Sequence, residues 1–473
     1  MESSEPASQP DRAPTVTGGT ARLLAAALLL LAALRFLWLG RWGLWIDEAF
    51  TLHDSAALLA GVQTRFPLGL YCTAAAQSLF GSDAEYVLRF APALFGACGL
   101  ALCEWAFEPA VGRTRALAIA CLVGISSWHL YWSQSARHYT LAQDIALIGG
   151  GLALRGCLRN SPWRFVLGVI VAATASFAHP TGGLVAAALI FAPWLSSLRG
   201  ARFAWRPPTW SIVVAALALA LALGGWAWSV WNTYTGSKAG SSTENLALTC
   251  GYYFTPLVLT CALAGAWRAW RRRDAVDLFA LCVCTPAIVA VFVASAFAIV
   301  SAQYLFVLLP WVALLATAPL FDSALNARLR GAAVFALAAY GLVDTVLYFT
   351  WRHGDRPRWN EAYAHVWRER DDDDLVFGMA WPVGEYYLAP GERSLRVPDT
   401  LVPASGYFEA APAQWARRGR RMWFVINHED MRAWPPAERE RMLEVLTTQC
   451  KLERSFRVPG TPRDLDIDVY LRE

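Results

Sequence analysis

Long apolar runs recur along the chain from residue 23 to residue 351, with short polar segments between them. A run of about 17–25 apolar residues is long enough to cross the ~30 Å hydrocarbon core of a bilayer as a helix. The pattern predicts a polytopic α-helical membrane protein with about eleven spans, within a range of ten to thirteen. The predicted spans cover residues 22–40, 88–107, 114–131, 139–157, 164–179, 181–197, 209–231, 247–267, 276–300, 303–320 and 331–351.

Two further parts flank this membrane domain of residues 22–351. Residues 1–21 are rich in Ser, Pro and Thr, and we expect them to be disordered. Residues 352–473 are rich in Arg, Asp and Glu and contain no spanning run, so they form a separate soluble domain of ordinary size. Their apolar and alternating stretches predict an α/β fold. The predicted helices cover 360–370 and 436–447, and the predicted strands cover 375–379, 422–426, 455–458 and 467–471.

The segment Phe66–Phe80 decides the orientation of everything that follows it. It has about 15 residues, so we interpret it as an interfacial or re-entrant helix rather than a span. With a cytoplasmic N-terminus, five arginine clusters then fall in cytoplasmic loops, as the positive-inside rule prefers. They are Arg113 and Arg115; Arg155, Arg159 and Arg164; Arg199, Arg202 and Arg206; Arg268, Arg271, Arg272 and Arg273; and Arg328 and Arg330. The opposite choice would place all five outside, so we predict that the C-terminal domain is periplasmic.

This topology places four short segments at the outer face of the bacterial cytoplasmic (inner) membrane, namely 41–87, 132–138, 232–246 and 301–303. Polar residues that are costly to place near a bilayer gather at that face. They are Asp47, Glu48, Arg65, Arg137, His138, His179, Gln303 and Tyr304. A site there has no access to cytosolic nucleotide-activated donors, so a membrane-carried substrate is the natural partner.

Composition excludes other classes of protein. The chain is 56% hydrophobic and only 16% charged, whereas about a quarter of the residues of a soluble protein are charged. The net charge of +4 is modest, and the arginines are interpreted as topology signals rather than a nucleic-acid-binding surface. The ten Cys show no metal-ligating or paired spacing. The acidic run Asp371–Asp374 is interpreted as a solvated turn, so the sequence calls for no metal cofactor, although a divalent ion bridging a phosphate is compatible with it.

Six motifs occur in a fixed order along the chain. They are W-I-D-E-A-F-T at 45–51, R-F-P-L-G-L-Y at 65–71, F-G-S-D-A-E-Y-V-L-R-F-A-P-A-L-F-G at 80–96, Y-W-S-Q-S-A-R-H-Y-T-L at 131–141, F-A-H-P at 177–180 and Q-Y-L-F-V-L-L-P at 303–310. Together they resemble the bacterial protein-mannosyltransferase-like, GT-C glycosyltransferases. That family includes the aminoarabinose and galacturonic acid transferases that modify lipid A or its core in lipopolysaccharide. The resemblance extends over most of residues 22–370, including R-P-R-W-N-E-A at 356–362.

The resemblance implies that Asp47 is the catalytic base. A carboxylate can accept the proton of the acceptor hydroxyl as its oxygen attacks the anomeric carbon. The competing interpretation is that Asp47 only caps a helix beside the membrane. Glu48 is the second catalytic candidate, but adjacent side chains do not share a helix face, so it either acts directly or orients the loop by meeting a cation.

The resemblance also implies a binding site for the donor phosphate. Arg65 and Arg137 match basic positions of the family, and cations there would stabilise charge on the departing phosphate. Gln303 and Tyr304 stand where relatives often carry Arg-Tyr, and a neutral Gln lacks charge-assisted strength. Three further residues are candidates for lining the cavity, with ordinary interfacial packing as the alternative: His138, Tyr139 and His179.

The sequence therefore predicts an inverting glycosyltransferase that moves a sugar from a polyprenyl-phosphate donor to a periplasmic lipid, glycan or protein, as part of cell-envelope glycan synthesis. Two other classes remain open. A multi-pass transporter or lipid flippase would show an internal repeat, and none is visible. A catalytically degenerate member that scaffolds an envelope complex would be consistent with Gln303.

Overall fold

A computed structural model describes residues 18–62, 64, 66–237, 240–371, 374–378, 381–388, 401–403, 421–431 and 436–473. Most of the predicted disordered segment 1–21 lies outside these ranges, as does Arg65. In chain order the helices of the membrane region are α1 (Gly18–Leu34), α2 (Ile46–Leu59), α3 (Pro67–Phe80), α4 (Glu85–Leu88), α5 (Phe90–Val111), α6 (Arg113–Ile125), α7 (Ser127–Ser133), α8 (Tyr139–Leu158), α9 (Pro162–Thr174), α10 (Gly182–Leu198), α11 (Thr209–Ser237), α12 (Thr243–Tyr253), α13 (Pro256–Arg272), α14 (Ala275–Ala294), α15 (Leu309–Thr317) and α16 (Ala327–Thr350). Short 3₁₀ turns cover Ala175–Phe177, Ala302–Leu308, Pro319–Phe321 and His353–Asp355.

Each of the eleven predicted spans overlaps a helix of the structure. Among the described residues, five continuous helical stretches are long and apolar enough to cross a membrane, or seven if each of two bent pairs is one span. The remaining four predicted spans correspond to helices α1, α9, α10 and α11. A polytopic helical architecture is therefore confirmed, and the number of spans stays a prediction.

The two bent pairs have local causes. Helices α6 and α7 meet at 70°, where the Ser126 side chain accepts the His129 N–H and starts a new helix. Helices α12 and α13 meet at 94°, where Thr255 has a φ of 64° and precedes Pro256. Proline disfavours helical geometry in the residue before it, so the first helix cannot continue through this point.

Helix α3 is the segment that was interpreted as too short to span. It has Pro67 at its first position and ends at Gly81, which adopts a left-handed conformation with φ of 59°. Its 14 residues give a length of about 21 Å, well short of the hydrocarbon thickness.

Arginines from different predicted cytoplasmic loops lie together at one end of the helices. Asp277 accepts Arg115 at 2.6 Å and Arg268 at 2.8 Å, while Asp322 binds Arg268 at 3.1 Å and Arg272 at 2.8 Å. This cluster lies beside the start of α6, next to the end of α5. Helix α5 has 22 residues and is about 33 Å long. The cluster is therefore about 33 Å from Arg89, the residue before α5. The arginines of these two predicted loops therefore lie on the same side of the helix bundle.

The C-terminal domain is an α/β structure, as predicted. Its helices are α17 (Trp359–Glu369), α18 (Trp381–Leu388), α19 (His428–Met431) and α20 (Pro436–Gln449), and its strands are β1 (Leu375–Gly378), β2 (Leu401–Pro403), β3 (Met422–Asn427), β4 (Lys451–Phe456) and β5 (Ile467–Arg472). The strand order is β2-β1-β3-β5-β4. Strand β1 is parallel to β2 and β3, whereas β5 is antiparallel to β3 and β4.

Three elements of this domain were not predicted, and one was misplaced. The short elements α18, α19 and β2 carry too few residues for a periodic signal. Strand β4 begins at Lys451 rather than at residue 455. The prediction missed its first residues because β4 is an edge strand, and its charged residues hide the alternation of apolar and polar positions.

Apolar side chains cover both faces of the sheet. One face packs against α20 through a buried cluster that includes Phe377, Phe424 and Met442. The other face packs against α17 and α18. That second core also contains Ala49 and, at its edge, Ile46, both from α2. Helix α2 is therefore shared between the membrane region and the C-terminal domain.

Candidate active site

The two acidic residues of the first loop lie in the first turn of α2, where negative charge complements the helix dipole. Asp47 is half-buried, whereas Glu48 is completely buried. The side chains of consecutive helical residues point about 100° apart, so the two carboxylates face different parts of the structure.

The Glu48 carboxylate lies between two arginines. Arg89 donates two hydrogen bonds of 2.8 Å to it, and Arg356 approaches to 3.5 Å. The Ala136 N–H donates at 2.7 Å and the Trp45 N–H at 3.2 Å. Burial alone would raise the pKa of Glu48, but the two guanidinium groups outweigh it and hold that pKa below its ordinary value. The carboxylate is thus ionised and fully engaged within the protein.

Arg89 connects this ion pair to the chain that leads into α2. Its Nη1 donates to the carbonyls of Leu39 at 2.9 Å and Trp42 at 2.7 Å, and its Nη2 donates to that of Gly43 at 2.9 Å. Sequence reasoning assigned Arg89 no role. The signal was available, because Arg89 stands at the outer end of a predicted span, where the positive-inside rule disfavours arginine.

Arg356 joins the same region to the start of the C-terminal domain. Its Nη2 donates to the Gln134 carbonyl and to the Ser135 hydroxyl, both at 2.7 Å, and its Nη1 donates to the Tyr348 hydroxyl at 3.1 Å. The sequence gives no local sign of this role, since Glu48, Gln134 and Ser135 are all distant from Arg356 along the chain.

Arg137 lies beside Asp47. Its Nη1 donates to the Asp47 carbonyl at 3.3 Å and to the Thr51 hydroxyl at 3.1 Å. Thr51 lies four residues after Asp47, on the same face of α2, and Asp54 follows on that face after three more. Arg137 therefore binds the α2 face that carries the candidate base.

A cavity of about 350 Å³ adjoins this face of α2. It lies between the end of α2, the start of α3 and the residues that lead into α8 and α10. Its polar lining consists of Asp54, Thr64, Arg137, His138 and His179. The volume is at the lower end of the range for small-molecule sites.

His138 enters this cavity because α3 has a glycine opposite it. A Cβ at Gly69 would lie 1.8 Å from the Cγ atom of the His138 ring, so a side chain there would displace the imidazole. Burial, with Arg137 beside it, lowers the pKa of His138 to about 3, so the ring is neutral. Within the described part of the chain, its buried Nε2 has no hydrogen-bond partner.

His179 and two tyrosines form an aromatic wall next to the cavity. The Nδ1 atom of His179 lies 2.9 Å from the Thr181 hydroxyl. The His179 ring lies 4.0 Å from that of Tyr139 and 6.2 Å from that of Tyr304. Gln303 precedes Tyr304 and is half-buried. The structure thus brings Arg137, His138, His179 and the two tyrosines together, while Arg65 lies outside the described residues.

The acidic run at 371–374 belongs to a different part of the molecule. Asp374 accepts the Trp423 indole N–H at 2.8 Å, and Asp371 pairs with Arg421 at 2.7 Å, at the start of β1. Residues 372 and 373 lie outside the described ranges. Across the described residues, no group of three or more His, Cys, Asp and Glu side chains is arranged to hold a metal ion.

Comparison with known proteins gives no relative by sequence, since neither a protein-family model nor a curated protein matches the chain. Solved structures do match. ArnT from Cupriavidus metallidurans bound to undecaprenyl phosphate has a TM-score of 0.56 and 14% identity over 96% of this chain and 98% of its own. The same protein in its apo state has a TM-score of 0.54 and 16% identity, over 96% of this chain and 98% of its own.

A second protein is similar over most of the chain. The oligosaccharyltransferase from Archaeoglobus fulgidus in its apo form has a TM-score of 0.51 and 13% identity, over 93% of this chain and 74% of its own. At such low identities these likenesses concern the fold. The chain therefore has the polytopic GT-C fold that its sequence predicts, shared with ArnT and completed by a small C-terminal α/β domain.

Proposed function

We propose that this protein is an inverting glycosyltransferase that moves a sugar from a polyprenyl-phosphate donor to a hydroxyl group of a lipid, glycan or protein. The observation that carries the proposal is the position of Arg137. This cation lines a 350 Å³ cavity and also binds the backbone and one neighbouring side chain of the helix that bears Asp47. Arg137 thus contacts both the cavity and the helix that bears the half-buried Asp47.

In the proposed reaction, Asp47 accepts the proton of the acceptor hydroxyl while its oxygen attacks the anomeric carbon. The bond from that carbon to the phosphate oxygen breaks, and the phosphate leaves with the bonding electrons. Arg137 stabilises the growing negative charge, with His138 as a neutral hydrogen-bonding partner. Arg65, Gln303 and Tyr304 are proposed as further phosphate contacts. A single displacement inverts the anomeric centre.

Glu48 has a different proposed role. Its carboxylate is saturated by Arg89, Arg356 and two backbone N–H groups, so it positions α2 rather than meeting substrate. Tyr139 and His179 are proposed as walls of the donor site.

The proposed setting is the inner membrane, with the N-terminus in the cytoplasm and Asp47 at the periplasmic face. The gathering of arginines at the opposite end of the helices supports this orientation. The ArnT likeness supports a polyprenyl carrier, because that protein was solved with undecaprenyl phosphate. No described residue cluster calls for a metal.

The test is a donor screen with the purified protein and several synthetic polyprenyl-phosphate sugars, scored by release of polyprenyl phosphate. Asp47→Asn should lower turnover by at least about 100-fold, since it removes a general base. The matched control is Glu361→Gln, which removes a partly exposed carboxylate paired with Arg358 on α17. Turnover retained by Asp47→Asn, or absent with every donor in the wild-type protein, would overturn the proposal.

A further inference from the structure

The backbone that leads into α2 is held by a side chain from the C-terminal domain. The buried Leu44 N–H donates to the Tyr387 hydroxyl at 2.7 Å. That hydroxyl donates in turn to the Glu85 carboxylate at 3.0 Å. Tyr387 belongs to α18, so a residue more than 340 positions away along the chain contacts the segment before Asp47.

The opposite side of the same segment is held by Arg89. Its guanidinium binds the carbonyls of Leu39, Trp42 and Gly43, and the last two of these residues directly precede Leu44. The carbonyls thus bind the membrane region, and the next N–H binds the C-terminal domain. Asp47 follows three residues later, in the first turn of α2. The direction of its side chain depends on where this segment is held.

We propose that Tyr387 is a positioning residue for Asp47, acting through its hydrogen bond to Leu44. This inference rests on the proposed function, because it assigns a role relative to the Asp47 base. The C-terminal domain is then a working part of the active site rather than a cover over it. Loss of the hydroxyl leaves the buried Leu44 N–H without this acceptor, and the start of α2 relaxes.

The neighbouring tyrosine offers a matched control. Tyr386 lies on the same helix and donates its hydroxyl to the Asp83 carbonyl at 3.0 Å, in the loop between α3 and α4. Both rings pack against the same apolar cluster around Leu44 and Leu88, and phenylalanine keeps that packing at either position. Tyr386→Phe therefore removes the hydrogen bond to the Asp83 carbonyl, whereas Tyr387→Phe removes the hydrogen bonds with the Leu44 N–H and the Glu85 carboxylate.

The experiment compares kcat, the KM for the donor and the thermal unfolding midpoint of full-length variants. Tyr387→Phe should lower kcat at least about tenfold, since small displacements of a catalytic group are costly, and should leave the donor KM within about twofold. Tyr386→Phe should shift the unfolding midpoint similarly while kcat stays near the wild-type value. Hydrogen exchange should quicken at residues 44–48 only in Tyr387→Phe.

The outcomes separate this inference from the function that it rests on. Equal kcat values for both phenylalanine variants, with Asp47→Asn inactive, would overturn the role of Tyr387 alone. An active Asp47→Asn would overturn the base assignment and this inference with it. If Tyr387→Phe does not fold, Glu85→Gln tests the same hydroxyl by weakening its acceptor. Glu85→Gln should lower kcat by a smaller factor than the one expected for Tyr387→Phe. An unchanged kcat would contradict the inference.

Discussion

The Arg89 guanidinium holds the Glu48 carboxylate through two hydrogen bonds of 2.8 Å, and neither side chain has any exposed surface. The two residues are 41 positions apart and join the first turn of α2 to the start of α5. A buried ion pair is tolerated only when further hydrogen bonds complete it. Here the N–H groups of Ala136 and Trp45 do so. The pair therefore holds the start of α2 against the start of α5.

Removal of the Glu48 carboxylate should therefore destabilise the fold. Glu48→Ala is expected to lower the free energy of unfolding by about 3–5 kcal/mol, because Arg89 and Arg356 would remain buried without a counter-charge. Chemical unfolding in detergent micelles measures this. The control is Glu104→Ala, which breaks a pair whose arginine is 64% exposed and should cost no more than about 1 kcal/mol. Similar losses in both variants would contradict the structural role of Glu48.

The Glu48 carboxylate should also make the stability of the fold depend on pH in the acid range. Its pKa in the folded protein lies below the value of 4.5 expected for the unfolded chain. The ion pair therefore contributes its full stability above about pH 4.5, and that contribution is lost as pH falls through the lower folded-state pKa. The wild-type unfolding midpoint should drop across this acid window, and Glu48→Gln should show a shallower drop. Parallel profiles would rule out Glu48 as the source.

Arg137 should govern capture of the donor. Arg137→Ala is expected to weaken binding of polyprenyl phosphate by about 10- to 100-fold, which corresponds to the loss of one charge-assisted hydrogen bond. Arg137→Lys should recover part of this loss, since it restores the charge without the forked geometry. Equilibrium binding measures both. Arg358→Ala, on the partly exposed start of α17, is the control and should bind normally. Unchanged affinity in Arg137→Ala would remove the anion site.

Gly69 should tolerate no side chain. Gly69→Ala is expected to cost about 1–3 kcal/mol of stability, because its Cβ would overlap the His138 ring. Gly251→Ala is the matched control, since a Cβ at that helical glycine meets nothing within 4 Å and should be neutral or stabilising. Thermal unfolding compares the two. A neutral Gly69→Ala would show that the His138 ring moves aside freely.

The membrane helices could be predicted because a bilayer demands long apolar runs, and those runs are visible without any knowledge of tertiary contacts. The shortness of α3 was equally visible. The C-terminal domain was harder to predict. Strand β3, which is buried along its whole length, was predicted almost completely, whereas the edge strand β4 and the two-turn helix α18 carry no clear period.

The candidate site was predictable where one residue had an unusual position for its type. Arg137 was singled out as a basic residue at the predicted outer face that matches a basic position of the family, and the structure places it beside Asp47 and the cavity. The partners of Glu48 could not be read from the sequence, because Arg89 and Arg356 reach it only after distant segments pack together. Tyr387 was missed for the same reason. Local sequence patterns indicate which side chains carry charge, but the tertiary structure determines which groups those side chains contact.

The apolar core on the α17 side of the sheet includes Ala49 of α2, although its other fully buried members begin only at Trp359. A secreted fragment that starts at residue 352 would open this core to water and should aggregate or misfold. Chimeras that exchange the C-terminal domains of related chains should likewise fold only when α2 is exchanged together with that domain. The residues that must stay matched thus come from two parts of the chain that are far apart in the sequence.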